Sequence, residues 1–322
     1  MNKLYVVVPC YNEEAVLPET SARLKQKLDD LKIAGTIAPD SRVLFVNDGS
    51  RDRTWELISQ LHRQEPSSFS GLALSRNRGH QNALLAGLTE AARHADVIIS
   101  MDADLQDDIN AMDEMLAKYR EGCEVVYGVR SARKTDTAFK RVTAEGFYRF
   151  MQAMGVDIVY NHADYRLMSR RAVEALESFS EVNLFLRGIV PLVGFQSATV
   201  SYARGERFAG ESKYPLKKML AFAMDGITSF SIKPIRMILA MGAIVFLVSL
   251  GMLLYFLIRK LAGHTVDGWT SLACSIWALG GIQLLSLGVI GEYIGKIYNE
   301  TKRRPRYIVA QVLDEENEAE QA

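Results

Sequence analysis

The stretch Ile99–Asp108, "ISMDADLQDD", decides how the first half of this chain folds. It continues an apolar run, Val97-Ile98-Ile99, that reads as a buried strand. It then sets four aspartates and a glutamine where that strand must end. Carboxylates this close raise one another's pKa unless a cation sits among them. A solvated acidic turn capping the next helix would show the same letters, so the neighbouring segments have to choose between the two readings.

Those segments alternate between strand and helix patterns. Leu4–Val8, Val43–Val46, Leu72–Leu74, Val97–Ser100 and Val125–Tyr127 are short apolar, β-rich runs, and Glu14–Leu31, Thr54–Arg63, Asn82–Arg93 and Ile109–Tyr119 between them have helical periodicity. This order predicts an α/β fold with a mostly parallel sheet flanked by helices. In such sheets ligands bind beyond the carboxyl ends of the strands. Those ends are polar in all five cases: "PCYNEE" from Pro9, "NDGS" from Asn47, "SRNRG" from Ser75, "DADLQ" from Asp102 and "GVR" from Gly128. One such end is ordinary turn chemistry, whereas five on one edge point to a ligand site. Asp107 and Asp108 are expected to open the following helix, where negative charge meets the positive end of the dipole.

A length of 322 residues suggests about two domains. With 48% apolar and 24% charged residues the chain can build a core, and its formal net charge of zero gives no basic signal for nucleic acid. Cys10, Cys123 and Cys274 are far apart with no C-x-x-C pair, which suggests a reducing compartment and no zinc site.

The balanced average conceals two runs without a charge, 22 residues from Met237 to Ile258 and 23 from Trp269 to Gly291. Each exceeds the roughly 20 residues that cross a hydrocarbon core, and the ten-residue connection between them makes a transmembrane hairpin. Lys213, Lys217, Lys218, Lys233 and Arg236 precede the first run, Lys296, Lys302, Arg303, Arg304 and Arg306 follow the second, and the connection holds only Arg259 and Lys260. The positive-inside rule then places both termini in the cytoplasm. "MNKLYVVVPCYNEE" has too short an apolar run for a signal peptide. The expected division is a catalytic domain over 1–212, juxtamembrane amphipathic helices over 213–236, the two spans and their loop over 237–291, and a cytoplasmic tail over 292–322. The segment from Leu216 to Phe230 carries apolar residues at helical spacing, which suits a helix in the membrane interface. The end of the tail, "DEENEAEQA", reads as disordered.

Six motifs stand in order before the hairpin: "VVVPCYNEE" from Val6, "VNDGSRDRT" from Val46, "NRGHQNALLAG" from Asn77, "DADLQDD" from Asp102, "DYRLMSRR" from Asp164 and "RFAGESKYPL" from Arg207. Together they resemble the family 2 inverting glycosyltransferases of the polyprenyl-phosphate sugar synthase type, which include bactoprenol glucosyltransferases and dolichyl-phosphate mannose synthase. The resemblance runs from Tyr5 to about Arg306. It implies a GT-A fold, a nucleotide-sugar donor, a divalent metal (Mg2+ or Mn2+), a polyprenyl phosphate acceptor such as undecaprenyl phosphate, and a bacterial plasma-membrane location. UDP-glucose and UDP-N-acetylglucosamine are the donors it favours, with GDP-mannose behind.

The resemblance also assigns residues. Asp104 is the first metal ligand, Asp102 a second ligand or a ribose contact, and Gln106 helps orient the site. A cation held this way neutralises charge on the leaving diphosphate. Pro9, Tyr11 and Glu13 line the nucleoside pocket, Asp48 accepts a hydrogen bond from the base, and Arg207, Ser212 and Lys213 offer donors to the diphosphate. A lipid phosphate already carries about 1.5 to 2 negative charges, so it needs cationic positioning more than a strong base. Arg130, expected on a strand next to the one carrying Asp104, supplies this with Lys140 or Arg141. Asp164, in "ADY" where the family more often has Gly-Asp-Phe, is a base or an acceptor-side contact, and the motif leaves open whether it moves a proton or only orients the donor sugar. Gly280, Gly281, Gly288 and Gly291 allow close helix approach in a homo-oligomer.

Two rivals remain at this stage. A processive polysaccharide synthase usually carries Gln-x-x-Arg-Trp, and no tryptophan here follows an arginine. A non-enzymatic membrane anchor or flippase subunit would leave the acidic cluster idle.

Overall fold

The structure is a computed structural model in which residues 1–130, 162–181, 185–203, 205, 231, 233–261 and 269–314 are described. The chain divides into two compact units. The first is built on one eight-stranded sheet with strand order β7-β5-β6-β4-β1-β2-β3-β8. Its strands are β1 (Leu4–Cys10), β2 (Arg42–Asn47), β3 (Phe69–Leu74), β4 (Val97–Ser100), β5 (Val125–Arg130), β6 (His162–Ser169), β7 (Ser197–Tyr202) and β8 (Val309–Leu313). Helices α1 (Leu17–Ile33), α2 (Thr54–Gln64), α3 (His80–His94), α4 (Ala111–Arg120), α5 (Arg170–Glu177) and α6 (Leu186–Leu192) connect and cover them.

The centre of the sheet is parallel, with β1 paired to β2 and β4, and β2 to β3. Every residue of β1 and β2 is buried, as expected of strands covered on both faces. Their alternation divides the cover. Leu4, Val6, Val8 and Cys10 pack into one core with Leu17, Leu24 and Leu28 of α1, Ile58 of α2 and Met112 of α4. Val7 and Val46 face the other way, beneath α3. Gly87 lets that helix come close, because a Cβ there would sit 2.5 Å from Val7 and 2.6 Å from Val46.

Three strands depart from the expected pattern. β6 lies between β4 and β5 and is antiparallel to both. Arg130 therefore does not end a strand adjacent to the one carrying Asp104, as the sequence had suggested, because β6 separates them. β7 pairs parallel to β5 at one edge. At the other edge β8, from the region read as a tail, pairs antiparallel to β3. Leu313 packs beside Gly71, and the backbone N–H of Ser75 donates to the carbonyl of Ile308. The segment from Arg304 belongs with the sheet unit. The buried ion pair between Arg42 Nη1 and Asp314 Oδ1, at 2.7 Å, holds it there.

The second unit holds two long helices, α7 (Lys233–Leu261, 29 residues) and α8 (Trp269–Thr301, 33 residues), which contain the two uncharged runs. Leu239, Ile244, Leu254, Ile276, Leu284 and Leu287 on them are exposed. Several of their side chains, Phe246 among them, lie outside the described residues. Among the described residues no helix is long and apolar enough to cross a membrane. Most of the segment expected to form juxtamembrane helices, 213–236, is also outside the described residues.

Candidate active site

The carboxyl ends of β1, β2, β3 and β4 share one edge of the sheet, and their loops are tied to one another. After β1, the backbone N–H of Asn12 donates to Ser50 Oγ, and that of Glu13 to Thr54 Oγ1. In return Asn12 Oδ1 accepts from Arg51 N–H and Glu14 Oε2 from Arg53 N–H. Asn12 sits at φ +56°, in the left-handed region that asparagine tolerates. The loop after β2 presses on the loop after β3 at Gly49, whose φ is +62° and where a Cβ would lie 2.4 Å from Asn77 N. Asp48 completes this seam: its two oxygens accept the backbone N–H groups of Arg78 and Gly79 at 2.7 and 2.9 Å. Burial still raises its pKa, outweighing those two hydrogen bonds. Pro9 is buried at the end of β1, Glu13 is half-buried beside it, and Tyr11 is exposed at the rim.

The acidic loop is anchored from below. Thr20 of α1, fully buried, donates its hydroxyl to the carbonyl of Ala103 at 2.7 Å. Gln106 N–H donates to Asp104 Oδ1, and Leu105 takes φ +56° to make the turn. Gln106 is buried, and its backbone carbonyl accepts Gly205 N–H at 2.8 Å. Asp102 and Asp104 are half-buried. Burial, reinforced by the Asp164, Asp107 and Asp104 carboxylates and opposed by His80, pushes the Asp102 carboxyl up to about 6.

β6 delivers the opposing charges. Its register pairs Arg166 with Ser100, so Asp164, two residues nearer the strand's start and on the same face, stands alongside the acidic loop. Ser100 Oγ donates to the Asp164 carbonyl at 2.6 Å and fixes this alignment. The Asp164 carboxylate is surrounded by cations. Arg166 Nη2 donates to Oδ1 at 2.7 Å, and Arg187 donates from Nε to Oδ1 at 3.3 Å and from Nη2 to Oδ2 at 3.2 Å. His80 Nε2 lies 3.5 Å from Asp164 Oδ2 and 3.6 Å from Asp102 Oδ1. Burial opposes ionisation of Asp164, but His80, Arg187 and Arg166 outweigh it and hold the group well below the usual carboxylate range. Packing likewise disfavours the His80 cation, yet Asp164 and Asp102 prevail and raise its pKa. Arg166 is 1% exposed, and among the described residues its Nε and Nη1 have no hydrogen-bond partner.

Arg130 forms a second cluster at the same edge. Its Nη2 lies 3.2 Å from Asp107 Oδ1 and its Nε 3.3 Å from the Tyr202 hydroxyl, which itself donates to Asp107. Burial works against the guanidinium charge, but Asp107 keeps it protonated. Asp107 is thus the buried counter-charge of Arg130 and does not open the next helix, which begins at Ala111. Asp108 Oδ1 caps the turn by accepting Asn110 N–H.

The structure brings Asp102, Asp104, Gln106 and Asp164 to one place, with Pro9, Tyr11, Glu13 and Asp48 on the interlocked loops beside it. Lys140, Arg141, Arg207, Ser212 and Lys213 lie outside the described residues. Sequence reasoning overlooked His80, Arg166 and Arg187 as site residues, although His80 and Arg166 stood inside quoted motifs. Among the described residues, no group of three or more His, Cys, Asp or Glu side chains is placed to hold a metal ion. Asp102 and Asp104 nonetheless fit a hard cation that keeps several water or phosphate oxygens and takes only one or two carboxylates. The Asp102 carboxyl, raised first by burial and then by the neighbouring carboxylates, is a group whose ionised form a divalent ion would favour.

Residues 5–177 match the family described as glycosyl transferase family 2, and residues 233–297 match the GtrB C-terminal hairpin. An uncharacterized glycosyltransferase of Bacillus subtilis (strain 168), YkoT, is 56% identical over 95% of this chain and 90% of its own length. The bactoprenol glucosyl transferase of Shigella phage SfV is 40% identical over 95% of this chain and 98% of that protein. A prophage bactoprenol glucosyl transferase homolog of Escherichia coli (strain K12) is 39% identical over 96% and 99%.

Proposed function

The chain belongs to glycosyl transferase family 2, and from that premise we propose that it moves a sugar from a nucleotide-sugar to a polyprenyl phosphate at a bacterial plasma membrane. The carrying observation is the joining, in one chain, of an acidic strand-end site with a hairpin of two long, outwardly apolar helices. A water-soluble donor calls for the first, and a lipid acceptor for the second. At about 1.5 Å per residue, helices of 29 and 33 residues exceed in length a hydrocarbon core about 30 Å thick, and the uncharged runs within them are the segments this reading takes as spans. The excess of Lys and Arg at the outer flanks then leaves both termini cytoplasmic. A homo-oligomer is the assembly we infer, since Gly280, Gly281, Gly288 and Gly291 leave a Cβ-free strip on α8 where a second helix can approach.

In this reading the acceptor phosphate oxygen attacks the anomeric carbon from the face opposite the leaving group. The carbon–oxygen bond to the nucleoside diphosphate breaks, and the sugar is left in inverted configuration on a phosphodiester. No proton has to move in that step, because the phosphate monoester arrives ionised. Asp102 and Asp104 would hold a divalent cation, Mg2+ or Mn2+, whose charge stabilises the departing diphosphate. The loops around Asp48 and Gly49 form the nucleoside pocket, and Arg130, oriented by Asp107 and Tyr202, receives the acceptor phosphate.

The test is incubation of the purified full-length protein with undecaprenyl phosphate and radiolabelled UDP-glucose, UDP-N-acetylglucosamine or GDP-mannose in turn. Label in the organic extract with one donor supports the reading. Label in a polymer would identify a processive synthase, and no product with any donor would reject the proposal.

A further inference from the structure

Asp164 accepts three hydrogen bonds from two arginines and faces the His80 ring, so that two nitrogens stand at each oxygen. Oδ1 takes Arg166 Nη2 and Arg187 Nε, and Oδ2 takes Arg187 Nη2 and faces His80 Nε2. A carboxylate offers about four lone-pair positions, so the two arginines take three of them and His80 faces the fourth, which leaves this group poorly placed to receive a proton from a substrate. The donors differ in their access to a ligand. Arg166 is 1% exposed and reaches nothing beyond the core, whereas Arg187 keeps 28% of its side chain open.

Arg187 is also held from behind. Gln81, in the first turn of α3, accepts the Leu186 N–H with its Oε1 at 2.8 Å. Arg187 and His80 therefore ride on two helices joined at adjacent residues, and both aim at the carboxylates of the acidic edge. A guanidinium carries five N–H donors in a rigid plane, and its fork matches the oxygens of a phosphate. Pinned against Asp164 by one edge, it is pre-set in a single orientation before substrate arrives.

We propose that Arg187 is a phosphate-binding residue of this site, and that Asp164 serves as the positioning residue that presents it, not as the proton acceptor. The inference rests on the reading of the protein as an enzyme with two phosphate-bearing substrates. The phosphate belongs either to the nucleoside diphosphate of the donor or to the lipid acceptor.

Binding and rate measurements on full-length protein in detergent decide this. Arg187→Ala, Arg187→Lys, Asp164→Asn and the Arg187→Ala/Asp164→Asn pair would be compared with wild type, thermal melts confirming that each is folded. Binding of UDP, of GDP and of undecaprenyl phosphate would be measured separately by calorimetry, and KM and kcat for each substrate in parallel. Arg187→Ala should weaken one phosphate ligand by roughly ten- to a hundredfold, as expected for loss of a charge-assisted hydrogen bond. Arg187→Lys should recover part of that loss. Asp164→Asn should weaken the same ligand, and the double variant should fall no further than the worse single change, since both act through one contact. A loss in the nucleotide arm assigns Arg187 to the donor diphosphate, and a loss in the lipid arm to the acceptor.

Binding of every ligand within about twofold of wild type in Arg187→Ala, well short of the loss expected for such a bond, would overturn the proposal. Multiplying losses in the double variant would equally overturn the presenting role of Asp164, and a wild type that binds neither ligand class would remove the basis of both. Should Arg187→Ala fail to fold, the lysine variant carries the test: unchanged binding there with weakened binding in Asp164→Asn would refute it. Failure of the wild type to label lipid with any donor is a separate result, against the proposed function alone, and leaves the binding arms to judge Arg187.

Discussion

Asp314→Ala should detach the C-terminal strand from the sheet. Asp314 follows β8 directly, and its Oδ1 meets Arg42 Nη1 at 2.7 Å, with the two side chains only 8% and 10% exposed. His94 Nε2 stands 3.8 Å from the other oxygen. At an effective dielectric of about 20, unit charges at this separation attract by about 6 kcal/mol, much of it offset by the cost of taking both from water. Deleting one partner leaves the other charge buried, which costs about 3 to 5 kcal/mol. For a domain of this size that corresponds to a fall of roughly 6 to 20 °C in melting temperature, measurable by scanning fluorimetry on the full chain. Arg42→Met/Asp314→Leu should recover most of the loss, because well-packed apolar replacements of a buried pair are often neutral or better. Nucleotide binding should weaken in Asp314→Ala as well, since the carbonyls of Pro305 and Arg306 accept the Arg78 guanidinium while the Arg78 N–H donates to Asp48. A melting temperature for Asp314→Ala within about a degree of wild type, equivalent to well under 1 kcal/mol, would refute the reasoning, and so would a double variant as unstable as the single one.

Other expectations follow from the site. Asp104→Asn should reduce transfer at least a hundredfold without lowering the melting temperature, and excess chelator should do the same reversibly to the wild type; full activity under chelation would exclude a required divalent ion. Arg130→Ala should raise the acceptor KM by roughly ten- to a hundredfold while the donor KM stays put. Because that change leaves Asp107 buried beside Tyr202, it should also lower stability, and Arg130→Ala/Asp107→Asn should restore the stability but not the acceptor affinity. Gly49→Ala meets strain of about 1 to 2 kcal/mol from its left-handed backbone, in addition to the approach to Asn77 N. It should lower both melting temperature and nucleotide affinity, as calorimetry with UDP and GDP would show.

What could be read without the structure was whatever a residue's own segment decides. Val97-Ile98-Ile99 announces a strand because its burial shows in consecutive apolar letters, and the polar residues that follow it must lie at that strand's end. The same logic located the ends of β1 to β3 and the two uncharged runs now seen within α7 and α8. Strand partners are not local in this sense: the letters of "HADYRLMS" carry no mark of lying antiparallel between β4 and β5, and pairing depends on burial that several distant segments share. For that reason β6 was read as a motif and not as a strand, and Arg130 was placed beside the wrong neighbour. Charges are the extreme case. His80, Asp102, Asp164, Arg166 and Arg187 come from four separate segments, and an isolated arginine in "FLRG" looks like any solvated residue. Only the register of β6 and the docking of α6 on Gln81 bring these groups within reach of one another. At that range a buried carboxylate without its cations would cost more than the fold could sustain.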